Sequence, residues 1–285
     1  MKGLFITGTD TDVGKTVVTA GLLKLLRLKG IDAIPMKPVQ TGCIESSSID
    51  KNFYQNETEV AVSRTADGRR RALQARSLPS FAWSHPYLTD HGLRATELIA
   101  PDLEFALSYS GMNYTEEEMK YMSPYKYIPA CSPHLAGSLA GNYPYIKDIM
   151  VSLNKLAKNR ELVLVEGAGG TMVPLNDNEM MIDLIKETKF PVIIVSHTGL
   201  GTINHTLLTI NQLRACGIDV LGVVFNNTKP PEEGSKFIYD DNIKTIQKFG
   251  NVNILGIIDY IVDINESSNI CFEKNIDFEI IKKYF

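Results

Sequence analysis

The sequence predicts an α/β fold in which a mostly parallel sheet is covered by helices on both faces. Short apolar runs alternate with longer helix-like segments along most of the 285 residues, and this alternation is typical of parallel sheets. A glycine-containing loop joins the first apolar run to the first helix-like segment. The composition, 44% hydrophobic and 22% charged, is that of a globular chain. We therefore expect a single domain over residues 1–285.

Six apolar runs predict the strands of this sheet. They are Gly3–Thr7, Ala33–Lys37, Leu162–Glu166, Val192–Ser196, Val220–Phe225 and Ile254–Ile258. A leucine-rich segment predicts a helix over Val17–Lys29, and Gly30 follows it where a glycine commonly ends a helix. Gly217 has the same position after Ile210–Cys216. Since ligands of parallel sheets gather at the carboxyl ends of the strands, the residues there are the site candidates.

Residues 46–99 interrupt the alternation and show no strong period, which predicts an insertion that is either mobile or a small subdomain. The run Arg69-Arg70-Arg71 lies in it. Such a run is more typical of a solvated face than of an anion site.

The loop GTDTDVGKT occupies residues 8–16, between the first strand and the first helix. A helix N-terminus offers unpaired N–H donors and a partial positive charge, which suit phosphate. Gly14 allows an oxygen to approach closely, Lys15 adds a charge, and Thr16 adds a hydroxyl where Mg²⁺ binds in such loops. The first glycine stands one residue earlier than in the common pattern G-x-x-x-x-G-K-[ST], so the loop is a longer variant.

Polar residues stand at the ends of three other predicted strands. Glu166 precedes Gly167-Ala168-Gly169-Gly170 and either holds Mg²⁺ directly or through water or is a solvated charge at a strand end. Lys37 is either a second cation beside a transferring phosphoryl group or an ordinary surface lysine. The pair Asn226-Asn227 can pair with the edge of adenine or form a plain turn.

The segment Gly199–His205 opens another helix. Thr202 or Asn204 could cap that helix and leave N–H groups for a carboxylate, whereas His205 is expected to be structural.

Several function classes are disfavoured. The longest apolar runs fall short of the ~20 residues of a membrane span, and the chain begins directly in a strand, so we expect no signal peptide. The four scattered cysteines, Cys43, Cys131, Cys216 and Cys271, suit a reduced, cytoplasmic setting. A net charge of −4 argues weakly against a nucleic-acid partner.

Together these motifs resemble the dethiobiotin synthetase family, ATP-dependent enzymes with a P-loop NTPase fold. The resemblance covers roughly residues 1–45 and 100–260. The motifs that carry it are GTDTDVGKT at 8–16, KPVQTG at 37–42, SPH at 132–134, VEGAGG at 165–170, and GLG at 199–201 with Asn204-His205.

The resemblance implies that ATP is a co-substrate and that Mg²⁺ is required, with Lys15 and Lys37 as catalytic residues. The implied metal ligands are Thr16, Asp102 and Glu166, and Asp67 is the alternative to Asp102. The other implied ATP-binding residues are Asp12, Val13, Gly14, Val17, Gly167, Ala168, Gly169, Asn226, Asn227, Asp259, Tyr260, Ile261 and Glu266.

It also implies the substrate, 7,8-diaminopelargonic acid, which with CO₂ and ATP gives dethiobiotin. Thr41 would contact the carbamate formed from that substrate. Gly199, Leu200, Gly201, Thr202 and Asn204 would hold the substrate carboxylate across a homodimer interface. Two alternatives share the fold: a switch-type ATPase and a non-catalytic nucleotide-binding regulatory domain. The switch-type ATPases carry a lysine five places before Lys15, where this chain has Asp10.

Overall fold

The computed structural model describes residues 1–45, 98–230, 234–261 and 272–284. The chain divides into two units, one formed by Met1–Cys43 with Leu98–Phe285 and the other by Ile44–Glu97. The predictions about Asp67, the arginine run at 69–71 and Glu266 fall outside the described residues. Most of the insertion predicted at 46–99 also lies outside the described residues, so its extent and its nature stay a prediction.

The strands alternate with helices as expected. The strands are β1 Gly3–Gly8, β2 Ala33–Met36, β3 Val39–Thr41, β4 Ile44–Glu45, β5 Leu98–Ile99, β6 Tyr125–Tyr127, β7 Leu162–Glu166, β8 Val192–Ser196, β9 Val220–Asn226 and β10 Ile254–Ile258. The helices are α1 Lys15–Leu28, α2 Pro101–Ser110, α3 Glu116–Met122, α4 Pro133–Ala140, α5 Ile146–Asn159, α6 Met181–Thr188, α7 Thr202–Ala215, α8 Lys236–Gly250 and α9 Phe278–Ile281, followed by a 3-10 turn at Lys282–Tyr284.

Six of the described strands form one sheet in the order β10-β9-β8-β1-β7-β2. All five neighbouring pairs are parallel, which confirms the predicted fold class. β1 lies inside the sheet, and its residues Leu4, Phe5 and Ile6 are fully buried. A strand covered on both faces is continuously apolar, and this is why the strand pattern was visible in the sequence.

Three strand boundaries differ from the predictions by one residue each. β1 continues through Gly8 instead of ending at Thr7. β2 ends at Met36, because the N–H of Lys37 turns away from the sheet and donates to the carbonyl of Met122 at 2.8 Å. Pro38 follows at once, and a residue before proline has a restricted backbone. β9 continues through Asn226, which is paired with Ile258 at the end of β10.

Both predicted helix-ending glycines have a left-handed backbone. Gly30 has a φ of +79° and Gly217 a φ of +72°. The N–H of Gly30 donates to Arg27, and that of Ile31 to Leu26, so carbonyls of the last turn of α1 have partners.

A small parallel pair, β3 with β6, lies outside the main sheet and aligns Thr41 with Tyr127. Within the described part of the chain, no helix is both long and apolar enough to cross a membrane.

Candidate active site

The phosphate loop follows β1 and ends where α1 begins. Gly14 is the N-cap of α1, with a φ of +86° and no side-chain cap, and Asp12 also has a positive φ of +59°. The carboxyl end of β1 is crowded, since a Cβ on Gly8 would lie 2.9 Å from Lys15 Nζ. Because no side chain caps α1, the N–H donors of its first turn can bind an anion.

Lys15 is folded back over its own loop. Its side chain is largely buried, and Nζ donates to the carbonyl of Asp10 at 2.8 Å. Burial, and next the charge of Lys37, lowers the pKa of Lys15 to about 8. A phosphate oxygen beside Lys15 Nζ would stabilise the charged ammonium group and raise this pKa again.

Lys37 lies between two carboxylates. Its Nζ is 2.6 Å from Glu166 Oε1 and 2.8 Å from Asp102 Oδ2, and it is 3.5 Å from the carbonyl oxygen of Gly167. Burial lowers the pKa of Lys37, but the charges of Glu166 and Asp102 outweigh that effect, and the net pKa is raised. Lys37 is therefore a charged, buried ammonium group.

Thr16 joins the same cluster, because its hydroxyl donates to Glu166 Oε1 at 2.8 Å. The register of the sheet explains the meeting, since Glu166 on β7 is aligned with Ile6 on β1, just before the phosphate loop. Asp102 comes from the first turn of α2. The structure thus brings together four predicted site residues from four separate parts of the chain.

The donor set of this cluster suits a hard divalent cation. Thr16 offers a hydroxyl, and Asp102 and Glu166 offer carboxylate oxygens, which are the ligands that Mg²⁺ takes together with substrate phosphates. The described residues contain no group of three or more metal-ligating His, Cys, Asp or Glu side chains. Two carboxylates and a hydroxyl match a Mg²⁺ site in which the phosphate oxygens of a nucleotide would provide further ligands.

Comparison with known proteins identifies the family of this chain. The model of the AAA domain family matches residues 2–67 and 112–268. The ATP-dependent dethiobiotin synthetase BioD of Chromohalobacter salexigens is 33% identical over 263 residues, which cover 90% of each chain. That of Lysinibacillus sphaericus is 32% identical over 281 residues, covering 98% of this chain and 96% of the relative.

The chain belongs to the ATP-dependent dethiobiotin synthetase family. The cell division ATPase MinD of Pyrococcus furiosus, a solved structure, aligns over 99% of both chains with a TM-score of 0.49 and 14% identity.

The side chain of Asn226 contacts the phosphate loop. It is buried, and Nδ2 donates to the carbonyl of Val13 at 3.2 Å. The same atom would lie 2.0 Å from a Cβ on Gly14, so Gly14 is required by packing as well as by its φ. The predicted contact of Asn226 with adenine stays a prediction, and the bond to Val13 is a role that the sequence did not indicate.

Asn227 and the segment after β10 lie side by side. The N–H of Asn227 donates to the carbonyl of Ile258 at 2.9 Å, and its Oδ1 accepts from the hydroxyl of Thr198 at 2.6 Å. Asp259 and Tyr260 follow β10 directly and are exposed. The predicted nucleoside-binding residues of this segment are therefore at the same edge of the sheet as Asn226.

The loop before α7 differs in one respect from the prediction. Gly201, with a φ of +91°, is the N-cap of α7, and no side chain caps the helix, so neither Thr202 nor Asn204 has the predicted capping role. The Thr202 hydroxyl is buried and bonds to Ser196 at 2.9 Å. Leu200 is 96% exposed. Gly201, with its left-handed backbone, precedes the first turn of the helix, and the bond between Thr202 and Ser196 stabilises the loop.

Thr41 and the SPH motif at 132–134 lie near the small strand pair of β3 and β6. Thr41 ends β3 and is half-buried. The SPH motif begins α4, with Ser132 as N-cap and Pro133 in the first turn.

Gly167, Ala168 and Gly169 follow β7, and a Cβ on Gly170 would lie 3.3 Å from the carbonyl of Gly8. These glycines let the chain pass beside the phosphate loop.

Proposed function

We propose that this chain is an ATP-dependent dethiobiotin synthetase, a ligase of biotin biosynthesis that uses Mg²⁺, CO₂ and 7,8-diaminopelargonic acid. Family membership supports the reaction. The observation that carries the proposal is the position of Lys37 Nζ, within 2.8 Å of both Asp102 and Glu166, beside a phosphate loop that holds Lys15.

The reaction consists of three balanced steps. One amine of the substrate adds to CO₂ and loses a proton, which gives a carbamate. A carbamate oxygen then attacks the γ-phosphorus of ATP, ADP leaves, and a carbamic-phosphoric anhydride forms. The neighbouring amine attacks the carbonyl carbon, the C–O bond to phosphate breaks, the amine proton passes to the departing phosphate, and a five-membered urea closes. Because both amines belong to one molecule, the last step gains from proximity.

The protein's part in these steps is charge neutralisation and positioning. Lys15 meets the phosphates from the loop, and Lys37 approaches from the end of β2, where the carbamate would lie next to Thr41. Thr16, Asp102 and Glu166 would hold the metal, which when bound neutralises charge on the phosphate oxygens. No protein nucleophile is needed, because the substrate provides both attacking groups.

We propose a homodimer in which residues 199–204 hold the substrate carboxylate of the partner's site. The exposed side chains of Leu200 and Leu208, 96% and 60% accessible, support a contact at this face. We also place the enzyme in the cytoplasm, since Cys43, Cys131 and Cys216 are unpaired among the described residues.

The test is product formation from ATP, bicarbonate and 7,8-diaminopelargonate, followed by mass spectrometry for dethiobiotin and by phosphate release. Each reactant is omitted in turn. We expect phosphate release to require the diamine. Hydrolysis that ignores the diamine would instead favour a switch-type ATPase, and nucleotide binding without any product would favour a regulatory domain.

A further inference from the structure

The loop between β8 and α7, residues 197–201, is held by a side chain from another helix. Asn242 of α8 is 8% exposed, and its Nδ2 donates to the carbonyl of Thr198 at 2.8 Å and to that of Gly199 at 3.4 Å. One buried amide thus holds two successive peptide groups of the loop. No motif in the sequence points to this residue.

These two bonds set the direction of the N–H groups in the loop. In a trans peptide, the C=O group and the following N–H point in opposite directions. Because the carbonyl of Gly199 faces Asn242, the N–H of Leu200, which belongs to the same peptide group, is turned away from α8. The N–H of Gly199 donates to His197 Nδ1 at 3.1 Å, so the loop is fixed at that position as well.

The same loop is tied to the nucleotide side of the sheet. The Thr198 hydroxyl, buried at 2% exposure, donates to Asn227 Oδ1. Asn227 is next to Asn226, which donates to the carbonyl of Val13 in the phosphate loop. Hydrogen bonds therefore join the loop to the half-buried Asn227, which is the chain neighbour of Asn226.

We propose that Asn242 is a positioning residue for the substrate carboxylate. It turns the N–H of Leu200, in the loop before α7, away from α8 by holding the carbonyl of Gly199 behind it, and it does not touch the substrate. The inference rests on the proposed function, because it assigns the carboxylate of diaminopelargonate to this loop. A carboxylate that accepts from N–H groups at a helix N-terminus is well placed only if those groups already point at it.

The test compares Asn242→Asp with Gln247→Glu. Both variants replace an amide by a carboxylate on α8, but Gln247 is exposed and serves as the matched control. Aspartate keeps the shape of asparagine, cannot donate when ionised, and would repel the two carbonyls. Asn242→Ala is a second variant in case the aspartate prevents folding, and Asn242→Gln restores a donor for a rescue test.

We expect Asn242→Asp and Asn242→Ala to raise KM for diaminopelargonate by about tenfold, the effect of one lost buried hydrogen bond. KM for ATP and kcat at saturating diamine should stay within about twofold, and Asn242→Gln should recover part of the loss. An unchanged diamine KM would overturn the inference, as would an equal loss of ATP and diamine binding, which is the result of a merely structural role.

The two proposals fail in different ways. If wild type makes dethiobiotin and the Asn242 variants keep a normal diamine KM, only the inference about Asn242 is wrong. If wild type makes no dethiobiotin at any diamine concentration while it binds ATP, the proposed function itself is wrong.

Discussion

Lys37 Nζ and Glu166 Oε1 lie 2.6 Å apart, both buried, although 129 residues separate them in the chain. The same carboxylate oxygen accepts from the Thr16 hydroxyl. An ammonium group thus stands among oxygens that suit a divalent cation. This arrangement gives Lys37 two separable effects, one on phosphoryl transfer and one on metal binding.

For Lys37→Ala, we expect kcat to fall by about 10²- to 10³-fold, because the lost charge matters most at the transferring phosphoryl group. ATP affinity should change much less. Steady-state kinetics and nucleotide titration check this, with Lys155→Ala on the exposed side of α5 as a control. A variant with normal turnover would remove Lys37 from the mechanism.

For Lys37→Met, we expect Mn²⁺, a probe for Mg²⁺, to bind more tightly in the absence of nucleotide. The ammonium neutralises Asp102 and Glu166 in the free protein, so it competes with a cation for the same oxygens. Electron paramagnetic resonance of free Mn²⁺ measures the dissociation constant without any turnover. Glu166→Gln should show the opposite change, and equal affinity in wild type and Lys37→Met would contradict this prediction.

Nucleotide binding is expected to take up a proton above about pH 8. Burial, and then Lys37, lowers the pKa of Lys15 to about 8, and a bound phosphate raises it again. ATP affinity should therefore fall as the pH rises from about 8 to 10, while the free enzyme loses the Lys15 charge. Calorimetry in buffers of different ionisation enthalpy measures the uptake. In Lys15→Arg, which stays charged, the uptake should disappear.

Arg160→Ala should destabilise the fold by roughly 2–3 kcal/mol, because the largely buried Glu118 loses its cationic partner and keeps only its hydrogen bonds from Thr115. Arg160 Nε is 2.6 Å from Glu118 Oε1, Nη2 is 2.9 Å from Oε2, and Nη1 reaches Asp32. Hydrogen bonding to Arg160 is the main reason why the pKa of Glu118 is lowered.

The pH dependence of this effect has a definite sign. The pKa of Glu118 is lower in the folded protein than in the unfolded chain, so its ion pair with Arg160 stabilises the fold at pH values above the unfolded pKa. This stabilisation is lost as the pH falls through the lower pKa of the folded state. Denaturation of wild type and Arg160→Ala at pH 7 and in acid should therefore give free energies of unfolding that converge in acid. A constant difference at all pH values would show that the ion pair is not its source.

Removal of most of residues 46–99 should leave ATP affinity intact, since the described cluster of Lys15, Lys37, Asp102 and Glu166 lies outside that segment. Nucleotide titration of the shortened chain measures this. A collapse of affinity in a chain that still unfolds cooperatively would show that the insertion contributes to the site.

The six strands of the main sheet, the loop before α1 and the position of Lys37 directly after β2 could be predicted from short stretches of sequence. Continuous apolar runs and the glycine at position 14 are local signals, because each reflects the burial or the backbone conformation of its own segment. Asp102 was identified only through family resemblance, with Asp67 as an alternative, and its contact with Lys37 depends on how α2 returns to the sheet after the insertion.

Apolar runs in the sequence predicted the six strands of the main sheet, with their ends correct to within one residue. Tertiary structure alone decided that Lys37 is paired with Asp102 and Glu166, that Asn226 holds Val13, and that Asn242 holds the loop before α7. These contacts could not be predicted because their residues lie far apart along the chain. Backbone preference and apolar periodicity act over a few residues, whereas these polar contacts join residues brought together by strand order and helix packing.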